Sequence, residues 1–215
     1  VPFIYERLGV RFRNFMIDEF QDTSVLQWHN LIPLLENMLA DGNYCMLVGD
    51  GKQAIYRWRN GEVAQFVALP EIYNKPNTLD YRIREEALVR NYKEEKLDTN
   101  YRSSEVVVNF NNSLYALLAE QLDESNRKIY EGHWQNHHPS KQGGYVQIGF
   151  FEDNADDSAT GDRISEFIGN LRTDGYRLKD IGLLCRSNRL ATALAAHLLN
   201  LGIPVVSAES LLLDK

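Results

Sequence analysis

Two short apolar runs in this chain each stop abruptly on acid. Phe15-Met16-Ile17 gives way to Asp18-Glu19, and Tyr44 to Val48 gives way to Gly49-Asp50. A continuous apolar run that ends this way reads as a buried parallel strand whose C-terminal edge faces a site. A helix lies between the two runs. Ser24 with Gln27 three residues on is a capping box, and Val25, Trp28, Leu31, Ile32 and Leu35 repeat at helical spacing. Pro33 is expected to kink that helix or split it in two. Asp41-Gly42-Asn43 is a turn. Strand, helix and strand in this order form a right-handed crossover in an α/β sheet. Both acidic ends then lie on one sheet edge.

The remainder is read from period and punctuation. Residues 62–80 are weakly periodic, and residues 81–96 are charge-rich and expected as a solvated helix. Glu105 to Leu118 places Val106, Val107, Phe110, Leu114 and Leu117 on one face, so a helix capped by Ser103 or Ser104 is expected. Residues 121–144 read as an extended connection, Tyr145 to Phe151 as a strand, and the acidic stretch 153–161 as a mobile loop. A second strand–helix–strand unit closes the chain. It comprises Ile181 to Cys185, a helix from Ser187 or Asn188 to Leu201, the stop at Gly202, and a strand at Val205-Val206 opened by Pro204. The expected fold class is α/β, with two partial domains and a boundary near residue 98.

Composition limits what such a chain can be. Its 215 residues suffice for one large domain or two small ones, and 44% hydrophobic with 25% charged residues is an ordinary globular balance. The net charge of −7 argues against a surface that binds nucleic acid throughout, so any DNA contact must come from a local groove. Cys45 and Cys185 match neither a disulfide framework nor a zinc spacing and are read as buried thiols in a reducing compartment. No run is long enough to span a membrane and no signal peptide opens the chain, so a cytoplasmic location is expected. His133, His137 and His138 lack the Cys or paired acid of a metal site, and a solvated loop is the preferred reading.

Chemistry concentrates in three strings. In Ile17-Asp18-Glu19-Phe20-Gln21-Asp22-Thr23, a strand delivers Asp18 to its edge, as P-loop ATPases do to hold Mg²⁺. Glu19 beside it is placed to orient an attacking water. In Val48-Gly49-Asp50-Gly51-Lys52-Gln53-Ala54-Ile55-Tyr56-Arg57-Trp58-Arg59, a core Trp explains Trp58 but not Gln53, Arg57 and Arg59 around it. An aromatic face among arginines is a stacking platform for single-stranded bases. Gly49-Asp50-Gly51-Lys52 is not a Walker A loop, because no Gly lies five residues before Gly51 and no Ser or Thr follows Lys52. The third string, Leu97-Asp98-Thr99-Asn100-Tyr101-Arg102-Ser103-Ser104, is at least an Asn turn leading into a helix N-cap.

Taken in order and spacing, the three strings resemble motifs II, III and IV of UvrD/Rep-type superfamily 1 DNA helicases. The resemblance covers roughly residues 13 to 213. Lys52-Gln53 and the Leu-Asp-Thr-Asn string lean towards the RecB/AddA helicase–nuclease branch. Gly51 departs from the pattern, which more often has Pro or another non-Gly residue there, and a looser turn aiming Gln53 is expected.

The resemblance implies two partial RecA-like (P-loop NTPase) domains with parallel sheets, 1–98 carrying motifs II and III and 99–215 from motif IV onward. It implies a 3′→5′ DNA helicase or translocase that uses ATP and Mg²⁺ and acts on single-stranded and duplex DNA, with another component of a helicase–nuclease complex as a candidate partner. Asp18 would hold Mg²⁺ through water, Glu19 would be the general base, and Gln53 would sense the γ-phosphate. Tyr101 would stack on adenine and Arg102 would act as an arginine finger. Tyr56, Trp58 and Arg59 would contact DNA. The family's P-loop, its adenine-selecting Gln and motifs V and VI are not in the sequence, which starts at Val1 and ends as an apolar run builds at Leu211-Leu212-Leu213. We therefore expect part of a longer motor, inactive as an ATPase by itself. The rival expectation is a non-catalytic helicase-like domain that binds DNA or a protein partner.

Overall fold

The expected pairing of the two apolar runs is present in the computed structural model, which describes residues 12–150 and 157–207. Strands β1 (Asn14–Ile17) and β2 (Tyr44–Leu47) lie parallel, with Phe15 opposite Cys45 and Ile17 opposite Leu47. The ladder continues past both ends: Val48 N–H donates to Ile17 O at 2.8 Å, and Phe20 N–H to Val48 O at 2.9 Å. Helix α1 (Val25–Ala40) connects the strands, and its capping box is complete, with Ser24 and Gln27 each bonded to the other's backbone. Pro33 sits inside α1, and the helix is not split at that point. Its missing N–H removes only one rung, and packing on both sides holds the rest.

Packing explains why this region closes. Trp28, Ile32, Leu35 and Met38 form the buried stripe of α1, and Phe20 joins them with its ring edge-on to Trp28 at 4.8 Å. Phe15, Ile17, Cys45 and Leu47 pack against this core from the strands. Each large side chain so buried contributes about 1.5–3 kcal/mol. Burial also pushes the Cys45 thiol above its ordinary pKa. Helix α2 (Val63–Val67) follows, then α3 (Leu79–Asn91), which is shorter than the charge-rich stretch suggested because no helix is assigned past Asn91. Helix α3 is mostly solvated yet docks on α1, where Arg84 pairs with Glu36 at 3.2 Å.

A second parallel pair, β3 (Thr99–Asn100) and β4 (Asn136–His137), precedes and follows helix α4 (Glu105–Ala119). Residues 121–144 are thus more than an extended connection, because they also hold the short helix α5 (Glu124–Arg127) and a 3-10 turn at Lys128–Tyr130. The expected apolar face of α4 needs correction. Val108 and Asn112 are the buried positions, while Val106 and Leu117 are exposed. Ser104 occupies the N-cap position, but its side chain makes no capping bond; Glu105 N–H and Val106 N–H instead donate to Lys141 O and Gly143 O. The sheets are small and parallel, so the α/β class stands in this partial form.

Packing divides the chain into two compact units, Val1–Val146 and Gln147–Lys215. In the second, helices α6 (Asp157–Thr173) and α7 (Asn188–Asn200) pack around Ile168, Leu194 and Leu198. Residues 157–161, expected in a loop, belong to α6, and the rest of that stretch lies outside the described residues. Ser187 caps α7 by accepting from Leu190 N–H, and Gly202 ends it at φ 75°. No strand is assigned to 145–150, 181–185 or 203–207, contrary to expectation, and Phe151 lies outside the described residues. A parallel strand needs a neighbour to take its N–H and C=O groups, and packing on α6 and α7 alone does not supply one.

Candidate functional site

The acidic edge is built by backbone geometry that few sequences tolerate. Directly after β1, Asp18 and Glu19 are both exposed, and Glu19 sits in the left-handed region at φ 51°, ψ 42°. For a non-glycine residue that conformation costs about 1–2 kcal/mol, and such strain collects at functional sites. Asp18 Oδ1 accepts from Glu19 N–H at 2.9 Å. Gln21 is 1% exposed and reaches back, its Nε2 donating to Glu19 Oε2 at 2.6 Å while its Oε1 accepts Asp50 N–H at 3.1 Å.

At the end of the second strand the turn is tight rather than loose. Asp50 Oδ1 accepts from Lys52 N–H at 3.0 Å and from Lys52 Nζ at 2.7 Å, and Asp50 Oδ2 accepts from Gln53 Nε2 at 3.1 Å. Burial pushes the Asp50 carboxyl up, but the bonds from Lys52 and Gln53 with the Lys52 charge outweigh it and leave it below the ordinary value. Gly51 is buried, and a Cβ there would come within 3.0 Å of Ile129 Cγ2. The departure at Gly51 therefore answers a close approach, and the turn that carries Gln53 is held by three bonds to one carboxylate.

Across the same unit, β3 delivers Tyr101 and Arg102. Asn100 Oδ1 accepts from Arg102 N–H at 3.0 Å and from Ser103 N–H at 2.8 Å. Its Nδ2 donates to Gln135 Oε1 at 2.9 Å. Buried Asn112 ties the floor together, donating to Gln135 O and accepting Gln135 N–H. His133 lies against Tyr130 O and Asn112 O, so it is built into that floor rather than standing in a solvated loop. Tyr101 is 69% exposed with its ring 5.0 Å from that of His138.

These pieces line one open cleft of about 750 Å³, bordered by Glu19, Asp50, Lys52 and Gln53 from the acidic edge and by Tyr101 and Arg102 from β3. Of the expected nucleotide residues, Glu19, Gln53, Tyr101 and Arg102 line it; Asp18, next to Glu19, does not itself line it. Among the described residues no three His, Cys, Asp or Glu side chains form a metal-binding cluster. An exposed carboxylate pair still suits Mg²⁺, which takes one or two carboxylates and fills its octahedron with water and substrate phosphates. Tyr56, Trp58 and Arg59 stand elsewhere in the unit. Trp58 is 71% exposed, with the Arg59 guanidinium 4.4 Å over its ring and 5.4 Å over that of Tyr56. Asp22 Oδ1 accepts from Ile55 N–H and Tyr56 N–H, fastening this platform to the acidic segment. Sequence reasoning missed Gln21, Asp22, Asn112 and His133. The only available signal was that Gln21 and Asp22 belong to the same string as Asp18 and Glu19.

The UvrD/REP helicase N-terminal domain matches residues 2–74, and the UvrD-like helicase C-terminal domain matches residues 95–213, more than half of the chain. An ATP-dependent helicase/nuclease subunit of Lactococcus lactis is 29% identical over 97% of this chain. RecBCD enzyme subunit RecB of Mycolicibacterium smegmatis is 32% identical over 37% of it, and a probable DNA helicase II homolog of Mycoplasma genitalium 32% identical over 35%. The chain spans 17%, 7% and 10% of the lengths of these relatives. Among the described residues no helix is long and apolar enough to cross a membrane.

Proposed function

Because this chain belongs to the UvrD/REP helicase family, we propose that it is the central part of an ATP-driven, 3′→5′ DNA translocase and helicase of the RecB/AddA kind, acting in recombinational repair in the cytoplasm. The observation that carries the reading is the cleft: Glu19 and Gln53, from one strand edge, line the same space as Tyr101 and Arg102, far along the chain. The two sides belong to two RecA-like motor domains, divided near residue 98, and the compact unit 1–146 spans that division.

In this reading Tyr101 stacks on the adenine, and Asp18 holds Mg²⁺ through water. Bound there, the metal neutralises charge on the phosphates. Glu19 takes the proton of the attacking water. Gln53, aimed by its bond to Asp50, faces the γ-phosphate. Arg102 closes on the same group, and its planar fork of donors matches phosphate oxygens as an ammonium does not. Single-stranded DNA stacks on Trp58, with Tyr56 and Arg59 completing the platform. The Asp22 bonds join that platform to the acidic edge. A protein partner within a helicase–nuclease complex fits the relatives' names.

The test is DNA-stimulated ATP hydrolysis by the full-length protein carrying this chain. Arginine fingers are worth roughly 10³–10⁵ in turnover, so Arg102→Lys should lose nearly as much as Arg102→Ala, with ADP affinity unchanged. Glu19→Gln should cost about 10²–10⁴-fold while ATP still binds. Near-normal turnover in Arg102→Lys, or a parallel loss of ADP affinity, would overturn the finger role.

A further inference from the structure

We propose that Gln21 is the positioning residue for the catalytic carboxylate: it fixes Glu19 in the orientation that takes a proton from the attacking water and ties that orientation to the second strand end at Asp50. The proposal rests on the reading of Glu19 as the base, and the experiment below separates the two. Three observations carry it. First, both ends of the Gln21 amide are used. Its Oε1 accepts the Asp50 backbone N–H at 3.1 Å, so the amide cannot turn over, and its NH₂ must face Glu19 Oε2, at 2.6 Å. A donor to an ionised carboxylate makes one of the stronger hydrogen bonds available to a neutral side chain.

Second, the site is built around this side chain. Gln21 is 1% exposed, and Gly49 has no Cβ where one would stand 2.7 Å from Gln21 Oε1. Any other residue at 49 would push the amide away. Third, Glu19 has little else to hold it. It is exposed, its backbone is left-handed, and among the described residues its Oε1 makes no hydrogen bond. One carboxylate oxygen is therefore anchored by Gln21 and the other is left for a water in the cleft that Glu19 lines. Without the anchor the carboxylate rotates among its rotamers. Misplacing a reacting group by about 1 Å can cost about 10²-fold in rate.

The experiment uses DNA-stimulated ATPase of the full-length protein with Gln21→Ala, Gln21→Glu, Gly49→Ala, Glu19→Gln and the double variant Glu19→Gln with Gln21→Ala. Gln21→Glu keeps the length and the acceptor for Asp50 N–H and replaces the donor to Glu19 with an oxygen that repels its carboxylate, so it reports on the same contact if Gln21→Ala fails to fold. We expect kcat to fall about 10²-fold in Gln21→Ala and Gln21→Glu, and by a smaller factor in Gly49→Ala, with the KM for ATP and single-strand affinity unchanged. In the double variant, Gln21→Ala should add nothing to the loss from Glu19→Gln, because the two act as one unit. Wild-type kcat in folded Gln21→Glu, or a loss that multiplies in the double variant, overturns the positioning role alone. Wild-type turnover in Glu19→Gln overturns the base reading and this role with it.

Discussion

Residues 14–48 and residues 181–206 each run extended segment, helix, extended segment, yet only the first is tied by a ladder. In the first, β1 and β2 hydrogen-bond to each other and Phe20, Trp28 and Ile32 fill the space beneath them. In the second, Ile181, Cys185, Ile203 and Val205 lean on the Ile168, Leu194 and Leu198 cluster, while Leu184 and Val206 are 102% and 99% exposed. Residues 203–207 alternate as a strand with one covered face does, whereas along 181–185 only Ile181 and Cys185 are covered. A helix satisfies its own backbone, whereas a strand must borrow a neighbour. Burying one face therefore orders side chains without closing a sheet.

The largest test of that contrast is Trp28→Ala. If the packed core is what lets the ladder close, stability should fall by about 3–5 kcal/mol, read by chemical denaturation. A loss under about 1 kcal/mol would erase the contrast. Trp28→Phe sharpens it, since the indole Nε1 is buried without a hydrogen-bond partner among the described residues. Removing that orphan donor should offset part of the lost packing.

Leu198→Ala probes the other region. Its cluster has only three buried members, so about 2–3 kcal/mol is expected. Hydrogen exchange read on the same samples should find the Val48 amide protected and the Leu184 amide fast. Equal protection would mean that the second region is laddered after all.

Smaller effects refine the contrast within the first unit. Trp58→Ala should cost about 1–3 kcal/mol of single-strand affinity and leave the melting temperature nearly unchanged, the reverse of Trp28→Ala. A large melting loss with unchanged DNA affinity would make Trp58 a core residue. Asp50→Asn should be the mildest, under about 1 kcal/mol, because the Lys52 pair is partly solvated. The folded Asp50 carboxyl lies below its ordinary value, so its contribution is present above about pH 3.9 and fades as the pH falls through the folded value. A wild type and Asp50→Asn that converge on raising the pH instead would contradict this.

What could be read from sequence follows the same physics. The β1–α1–β2 unit was legible because a capping box, a helical stripe and two acid-ended runs all agree within one stretch of chain. The cleft residues Glu19, Gln53, Tyr101 and Arg102 were legible as strings, although only folding brings them to one space. The buried face of α4 was not legible. Asn112 is polar, and its place inside is set by the backbone of Gln135, a partner fixed only once β3 and β4 pair. Gln21 was hidden for a similar reason, since its role lies in a contact with Asp50 across the sheet edge. The apolar runs of the second unit read as strands, but an apolar run reports what can be covered and is silent on what lies alongside.

The placement of the tryptophans has an optical consequence. Of the three in the chain, Trp28 is 0% exposed, while Trp58 and Trp134 are 71% and 58% exposed. Indole emission shifts to longer wavelength in water and is quenched when a nucleobase stacks on it. With Trp134 replaced by Phe, the remaining two separate by colour and by access to a soluble quencher. The blue, shielded component reports the integrity of the core, and the red component would respond to single-stranded DNA if bases stack on the Arg59-backed ring as proposed. The protein thus carries a built-in dye for folding, and a titration with oligonucleotide followed by emission tests whether the exposed Trp58 ring is the proposed stacking platform.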